Sequence, residues 1–128
     1  MAETTPKVRH LRWDDLEQER LNPRMTRRMI SGERAMIAHV YLDRGAVVPM
    51  HSHENEQLTY VISGALRFWI RDEDSEPIDV RAGEVLVLPS YVPHKAVALE
   101  DTLDVDIFTP PRQDWIDGTD AYLRAGGD

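Results

Sequence analysis

The chain has 128 residues, 41% of them hydrophobic, enough for one domain with a sizeable core but not for an accessory domain as well. A formal net charge of -8 and a pI near 5.0 argue against nucleic acid or an anionic membrane surface as partner, since either needs a basic patch. No stretch approaches a membrane span, residues 1–6 carry no apolar signal core, and zero cysteines exclude disulfides and thiolate chemistry, so a cytoplasmic protein is expected.

Residues 14–20 read as a short helix or an arm. Strand-like runs follow at 26–30, 34–42, 47–51, 57–62, 65–71, 78–81, 84–88, 94–99 and 102–108, and residues 120–124 form a last helical turn. Glycine and short polar residues separate them, among them Gly32, Gly45, Gly64 and Gly83. Reversals at roughly every eight to twelve residues are the pattern of an all-β sandwich or barrel. Neither end shows a linker, a repeat or low complexity.

His51 and His53 stand two residues apart, so on an extended strand both imidazoles leave the same face and each can offer a neutral nitrogen to a divalent ion. Gln57 follows the turn at Glu54, Asn55 and Glu56, and its carbonyl oxygen is a third candidate ligand; His94, on a later strand, is a fourth. A His-x-His pair alone is commonly a surface feature of a polar loop. Four candidates at these positions point instead to one metal ion held by His51, His53, Gln57 and His94.

Two motifs contain these residues. Gly45, His51, His53, Gln57 and Gly64 fall at the spacings of the first cupin motif, Gly-x5-His-x-His-x3-Glu-x6-Gly, which the stretch resembles with Gln57 where most members carry glutamate. Gly83, Pro89 and His94 are similarly in register with the second, Gly-x5-Pro-x-Gly-x2-His-x3-Asn, in which Tyr91 replaces the second glycine and Ala98 the asparagine. The resemblance spans residues 45–98 and implies a double-stranded β-helix of the jelly-roll type, in agreement with the strand count. The expected architecture is therefore an all-β single-domain cupin. It has an N-terminal arm (1–24), a barrel core (25–109) and a C-terminal tail packed on the barrel (110–128).

Along residues 102–108, Leu103, Val105 and Ile107 share one face, which reads as core. Asp104, Asp106 and Phe108 share the other. In most β-proteins such a face is solvated; in a small barrel it can line a polar pocket, where a carboxylate beside an aromatic suits a substrate. Ala96 and Ala98 share the face of His94 and leave volume for a ligand. Ala35, Ile37, His39 and Tyr41 share another, which makes His39 either a pocket residue or a histidine at the sheet surface. Pro110 and Pro111 end the last strand and aim Arg112, which can grip a carboxylate bidentately or pair with Asp114.

Gln57 in place of glutamate, together with the Asp106, Phe108, Pro110, Pro111, Arg112 strand end, resembles the pectin-degradation cupins of the KdgF type, which open and ketonise 4,5-unsaturated monouronates from pectin or alginate. The resemblance implies metal ligands at His51, His53, Gln57 and His94, and functional roles for Asp106, Phe108 and Arg112. Chemistry supports it. Three histidines and an amide leave a divalent ion its full charge, a stronger Lewis acid than a carboxylate-ligated one, and the two-histidine, one-carboxylate triad of iron oxygenases is absent. Nickel, manganese, iron, cobalt and zinc all suit such donors. Asp106 would shuttle a proton, Arg112 orient the carboxylate of a small anionic sugar acid, and Phe108 wall the ring. Two other classes remain: a dioxygenase acting on a small diketone or aromatic, and a non-catalytic module that binds a small acid. A homodimer is expected, with residues 8–30 as exchange or cover segment.

Overall fold

The computed structural model describes residues 7–125; residues 1–6, on which the reading of no signal core falls, and residues 126–128 of the tail lie outside it. Ten strands follow one another: β1 Glu19–Asn22, β2 Met25–Ser31, β3 Met36–Leu42, β4 Val47–His51, β5 Glu56–Ser63, β6 Ala65–Ile70, β7 Ile78–Arg81, β8 Val85–Leu88, β9 His94–Ala98 and β10 Thr102–Thr109. Two short helices close the chain, α1 Gln113–Asp117 and α2 Ala121–Ala125. All strand pairs are antiparallel, in a six-stranded sheet ordered β1-β2-β3-β10-β5-β8 and a four-stranded sheet ordered β4-β9-β6-β7.

Alternation on β3 shows why these residues make a sandwich. Met36, Ala38, Val40 and Leu42 are buried while Ile37, His39 and Tyr41 look outward. The inward set packs with Val61 and Leu88 of its own sheet and with Leu66, Phe68 and Val80 of the other, so one apolar core joins the two layers. Between β5 and β6 the chain reverses through Gly64 at φ +89°, where a Cβ would stand 2.4 Å from the Asp101 carbonyl oxygen and from Thr102 Oγ1. Only glycine fits that turn.

Two expectations need correction. The helix read at 14–20 is a single 3-10 turn at Trp13–Asp15, because the following residues enter β1 and pair with β2. On β10 the inward face is Asp104, Asp106 and Phe108, whereas Leu103 and Ile107 are half-buried on the outer face of the sheet with Val105. The polarity of β10 is inverted because its inner face builds a polar pocket. Of the two readings of His39, the structure shows the sheet-surface one: it lies on the outer face, stacked on Trp13 at 3.6 Å.

The tail is stapled to the β1–β2 hairpin. Asn22 Nδ2 donates to the Leu123 carbonyl at 2.8 Å, and Arg27, fully buried, pairs with the equally buried Asp120 while its guanidinium lies 4.4 Å from the Trp115 ring centroid. Gly118, at φ +71°, turns the chain from α1 towards α2. Among the described residues no helix is long and apolar enough to cross a membrane.

Candidate metal centre

β4 and β9 pair with His51 directly opposite His94, so register alone sets two imidazoles side by side, with ring centroids 4.4 Å apart. His53 sits just past β4, where its carbonyl oxygen accepts from the Tyr91 N–H at 2.8 Å, and its ring lies 5.5 and 5.2 Å from the other two. Tyr91, at the position where the motif has glycine, adopts φ +65°, the left-handed conformation that accounts for the family's preference there.

Each ring is held by a backbone carbonyl at Nδ1: Pro49 for His51 at 2.8 Å, Asn55 for His53 at 3.0 Å and Val92 for His94 at 2.9 Å. A carbonyl only accepts, so each Nδ1 carries the hydrogen and each Nε2 keeps its lone pair, the tautomer a metal requires. One ligand nitrogen from each ring lies within 4.8 Å of the others, and His94 Nε2 is buried without a partner among the described residues. Burial, then the neighbouring His94, pulls His51 down to about 3; burial, then the Arg112 charge, pulls His53 down to about 4. His94 is lowered as well, chiefly by burial. At neutral pH all three are uncharged donors.

Gln57 reaches the cluster from the opposite sheet. Its Nε2 donates to Thr59 Oγ1 at 2.9 Å and, at the limit of a hydrogen bond, to Asp106 Oδ1 at 3.5 Å, which turns Oε1 towards His53 Nε2 at 3.2 Å. Two lone pairs therefore face each other, an arrangement that a cation between them relieves. Three neutral nitrogens and an amide oxygen fit one divalent ion.

Behind this group lies a cavity lined on one side by Tyr122 and Leu123 of α2. Phe108 meets His53 edge-on at 5.9 Å. Asp106 accepts from the Thr59 hydroxyl at 2.8 Å, and burial raises its pKa above the ordinary carboxylate range. Asp104 is raised well above that range by burial and by the adjacent Asp106. Arg112 is buried: it forms the bidentate pair with Asp114 that the sequence offered as one reading, at 2.9 and 2.8 Å, and it also lines the cavity, its guanidinium 5.1 Å from the Phe108 ring. Burial opposes its charge, but Asp114 and Tyr122 outweigh that and raise its pKa.

His51, Gln57, His94, Asp106, Phe108 and Arg112 thus line one cavity, with Ala96 in its wall, and His53 joins the group through its ring neighbours and Gln57. Sequence reasoning passed over Thr59, although period-two alternation puts it on the face of Gln57, and it gave Asp104 a face but no role. It also missed Tyr122. That ring stacks on His51 at 4.5 Å, and its hydroxyl accepts from Arg112 Nη2 at 2.7 Å and Trp115 Nε1 at 3.3 Å. Nothing local in the sequence marks it, because the contact depends on how the tail docks.

A two-sheet β-sandwich whose four-stranded sheet gathers three histidines within reach of one another defines a small barrel able to hold a metal ion. The cupin domain family matches residues 38–109, and the chain belongs to that family. No curated protein matches the sequence. Among solved structures it is similar to KdgF from Halomonas sp., at 30% identity over 85% of this chain and 99% of that one, with a TM-score of 0.78. An RmlC-like cupin from Shewanella frigidimarina shares the fold at 24% identity, covering 85% and 96% with a TM-score of 0.76. Oxalate decarboxylase from Bacillus subtilis shares it too, at 22% identity and a TM-score of 0.68; the match covers 85% of this chain but 30% of the decarboxylase.

Proposed function

We propose that this cupin is a metal-dependent isomerase that opens and ketonises 4,5-unsaturated monouronates, with His51, His53, Gln57 and His94 as ligands and Asp106, Arg112 and Phe108 acting on the sugar acid. The observation that carries this reading is the hydrogen-bonded chain from Gln57 Nε2 through Thr59 Oγ1 to Asp106 Oδ1, which holds a carboxyl group next to the metal donors without making it a ligand. The likeness to KdgF supports the same assignment.

A divalent ion on those four residues would supply Lewis acidity, drawing negative charge onto a substrate oxygen. Ring opening breaks the bond between the ring oxygen and the anomeric carbon as the anomeric hydroxyl gives up its proton. Ketonisation then places a proton on the carbon of the double bond while the enol oxygen loses its own. The net change moves one proton from oxygen to carbon and consumes no oxidant. Asp106 is the group that carries it, since burial makes its carboxyl hold a proton more readily than an exposed one. Arg112 orients the uronate carboxylate with Nη1, which makes no hydrogen bond to the described residues, because Asp114 and Tyr122 take Nε and Nη2. Phe108 supplies an apolar wall for the ring.

The test follows the ultraviolet absorbance of the conjugated double bond, first without oxygen and then with it. Asp106→Ala is expected to abolish turnover with metal content intact, because it removes the proton carrier and no ligand. Gln57→Glu adds a negative charge at the metal, so it should keep the ion and slow ring opening. Turnover that requires oxygen would replace this reading with a dioxygenase, and binding without turnover would replace it with a small-acid binding module. The homodimer expected of a small cupin is part of the same proposal, with the outer face of β5, β8 and β10 as its contact surface.

A further inference from the structure

Three rows of side chains cross the inner surface where β5 and β10 pair. Phe108 stands opposite Gln57, Asp106 opposite Thr59 and Asp104 opposite Val61, so each row lies roughly 7 Å deeper along the strand than the one before. The first row belongs to the metal donors and the second to the proton carrier. Asp104, in the third, is buried and lines the cavity.

Its surroundings do not account for it. The cross-strand neighbours of Asp104 are Val61 on β5 and Val40 on β3, and neither side chain has a donor to offer, whereas Asp106 has Thr59. One hydrogen bond joins the Asp104 carboxyl to Asp106, but Oδ1 is buried with no partner among the described residues. The cavity that Asp104 lines also carries the apolar side chains of Met25, Leu42 and Leu66. An unpaired carboxyl oxygen in such a place is costly, and a valine or leucine would pack there without that cost. A ligand hydroxyl reaching the third row supplies the missing donor.

We propose that Asp104 is the specificity-determining residue of the cavity floor, accepting at Oδ1 a hydrogen bond from a hydroxyl at the end of the ligand remote from Arg112. The site then takes polyhydroxylated acids and rejects their deoxy analogues, because a buried acceptor built for a hydroxyl is left unpaired when the hydroxyl is missing. This rests on the uronate reading and deepens it. With the carboxylate at Arg112 and the ring against Phe108, the hydroxyl-bearing carbons point down the rows towards Asp104.

The probes are the 4,5-unsaturated galacturonate monomer and its 2-deoxy and 3-deoxy analogues, given to the metal-loaded protein. For at least one analogue, kcat/KM should fall by about tenfold or more, mainly through KM. Asp104→Val should shrink that preference to about twofold at unchanged metal content, whereas Asp104→Asn should keep it, since its amide retains an oxygen for the cavity and an N–H for Asp106. A role limited to supporting Asp106 would lower kcat for all three probes alike and leave the preference in place, which overturns the proposal while the uronate reading stands. If Asp104→Val does not fold, the three probes on the wild-type protein decide, and equal treatment of them overturns it. If no uronate is turned over, the activity reading fails by itself. Calorimetry with D-galacturonate then judges the floor: binding weakened about tenfold by Asp104→Val upholds it, and binding that is unaffected or absent overturns it.

Discussion

Gln57 and Asp106 share one hydroxyl. Thr59 Oγ1 accepts from the Gln57 amide at 2.9 Å and donates to the Asp106 carboxyl at 2.8 Å, so one side chain aims both the proposed metal donor and the proposed proton carrier. Thr59 is fully buried, and Thr59→Val keeps its shape while deleting the hydroxyl. Metal content should stay constant and kcat should fall by about tenfold, because both partners lose their alignment. An unchanged kcat in a metal-loaded Thr59→Val protein would reduce the hydroxyl to filler.

Metal content itself is the second expectation. Elemental analysis of the purified protein should give about one divalent ion per chain, and His51→Ala combined with His94→Ala should remove it. An ion bound by the folded state alone also stabilises the fold, by about 2.7 kcal/mol when free ion stands a hundredfold above Kd. Chelation should therefore lower Tm in the wild-type protein and leave the double variant unmoved. A double variant that keeps its metal places the ion elsewhere.

The two strand pairs that make the site show what was legible and what was not. His51, His53, Gln57 and His94 could be read because strand periodicity and motif spacing are local properties of the chain. The face of β10 could not be assigned from its own letters. Leu103, Val105 and Ile107 are the more apolar set, yet Asp104, Asp106 and Phe108 point inward, since what decides is the polar group on the facing sheet. β1 was missed for a related reason: Glu19, Arg20, Leu21 and Asn22 carry little strand propensity, and pairing with β2 imposes the conformation. Tyr122 and the burial of Arg112 depend on the docking of the tail through Arg27, Asp120 and Asn22, contacts separated in sequence by about the length of the domain.

Tyr122→Phe tests that docking where it meets the site. The change keeps the ring stacked on His51 and deletes the oxygen that receives hydrogen bonds from Arg112 and Trp115. Arg112 then loses one of the groups that hold its guanidinium, and KM for an anionic substrate should rise several-fold with kcat little changed. Steady-state kinetics on the uronate monomer reads the split, and a fall confined to kcat would count against Arg112 as the carboxylate anchor.

Association should involve the outer face of the six-stranded sheet. Trp13 covers the β3 part by stacking on His39, and residues 19–31 pair within their own chain as β1 and β2, so they serve as an intrachain cover. On β5 and β8, however, Tyr60, Ile62, Val85 and Val87 are 41%, 42%, 54% and 54% exposed, a contiguous apolar patch at a sheet edge. Light scattering at micromolar concentration should give twice the 14.7 kDa chain mass, and Val85→Glu with Val87→Glu should halve it. A monomeric wild-type protein rejects the homodimer.

Asp104 should carry a stability cost with a definite sign. Its folded-state pKa lies well above the ordinary 3.8, through burial first and the neighbouring Asp106 second. As pH rises from about that ordinary value, the unfolded chain gives up this proton before the folded one does, so the folded state binds more protons and stability falls with rising pH. Asp104→Asn removes the titrating group and keeps an N–H to donate to Asp106. Tm of the variant should match that of the wild-type protein near pH 4 and exceed it by several degrees at neutral pH, the gap widening through the window in which Asp104 is held protonated. A gap that narrows as pH rises would mean that Asp104 is stabilised as a carboxylate in the folded protein, most simply by a cation reaching the floor of the cavity.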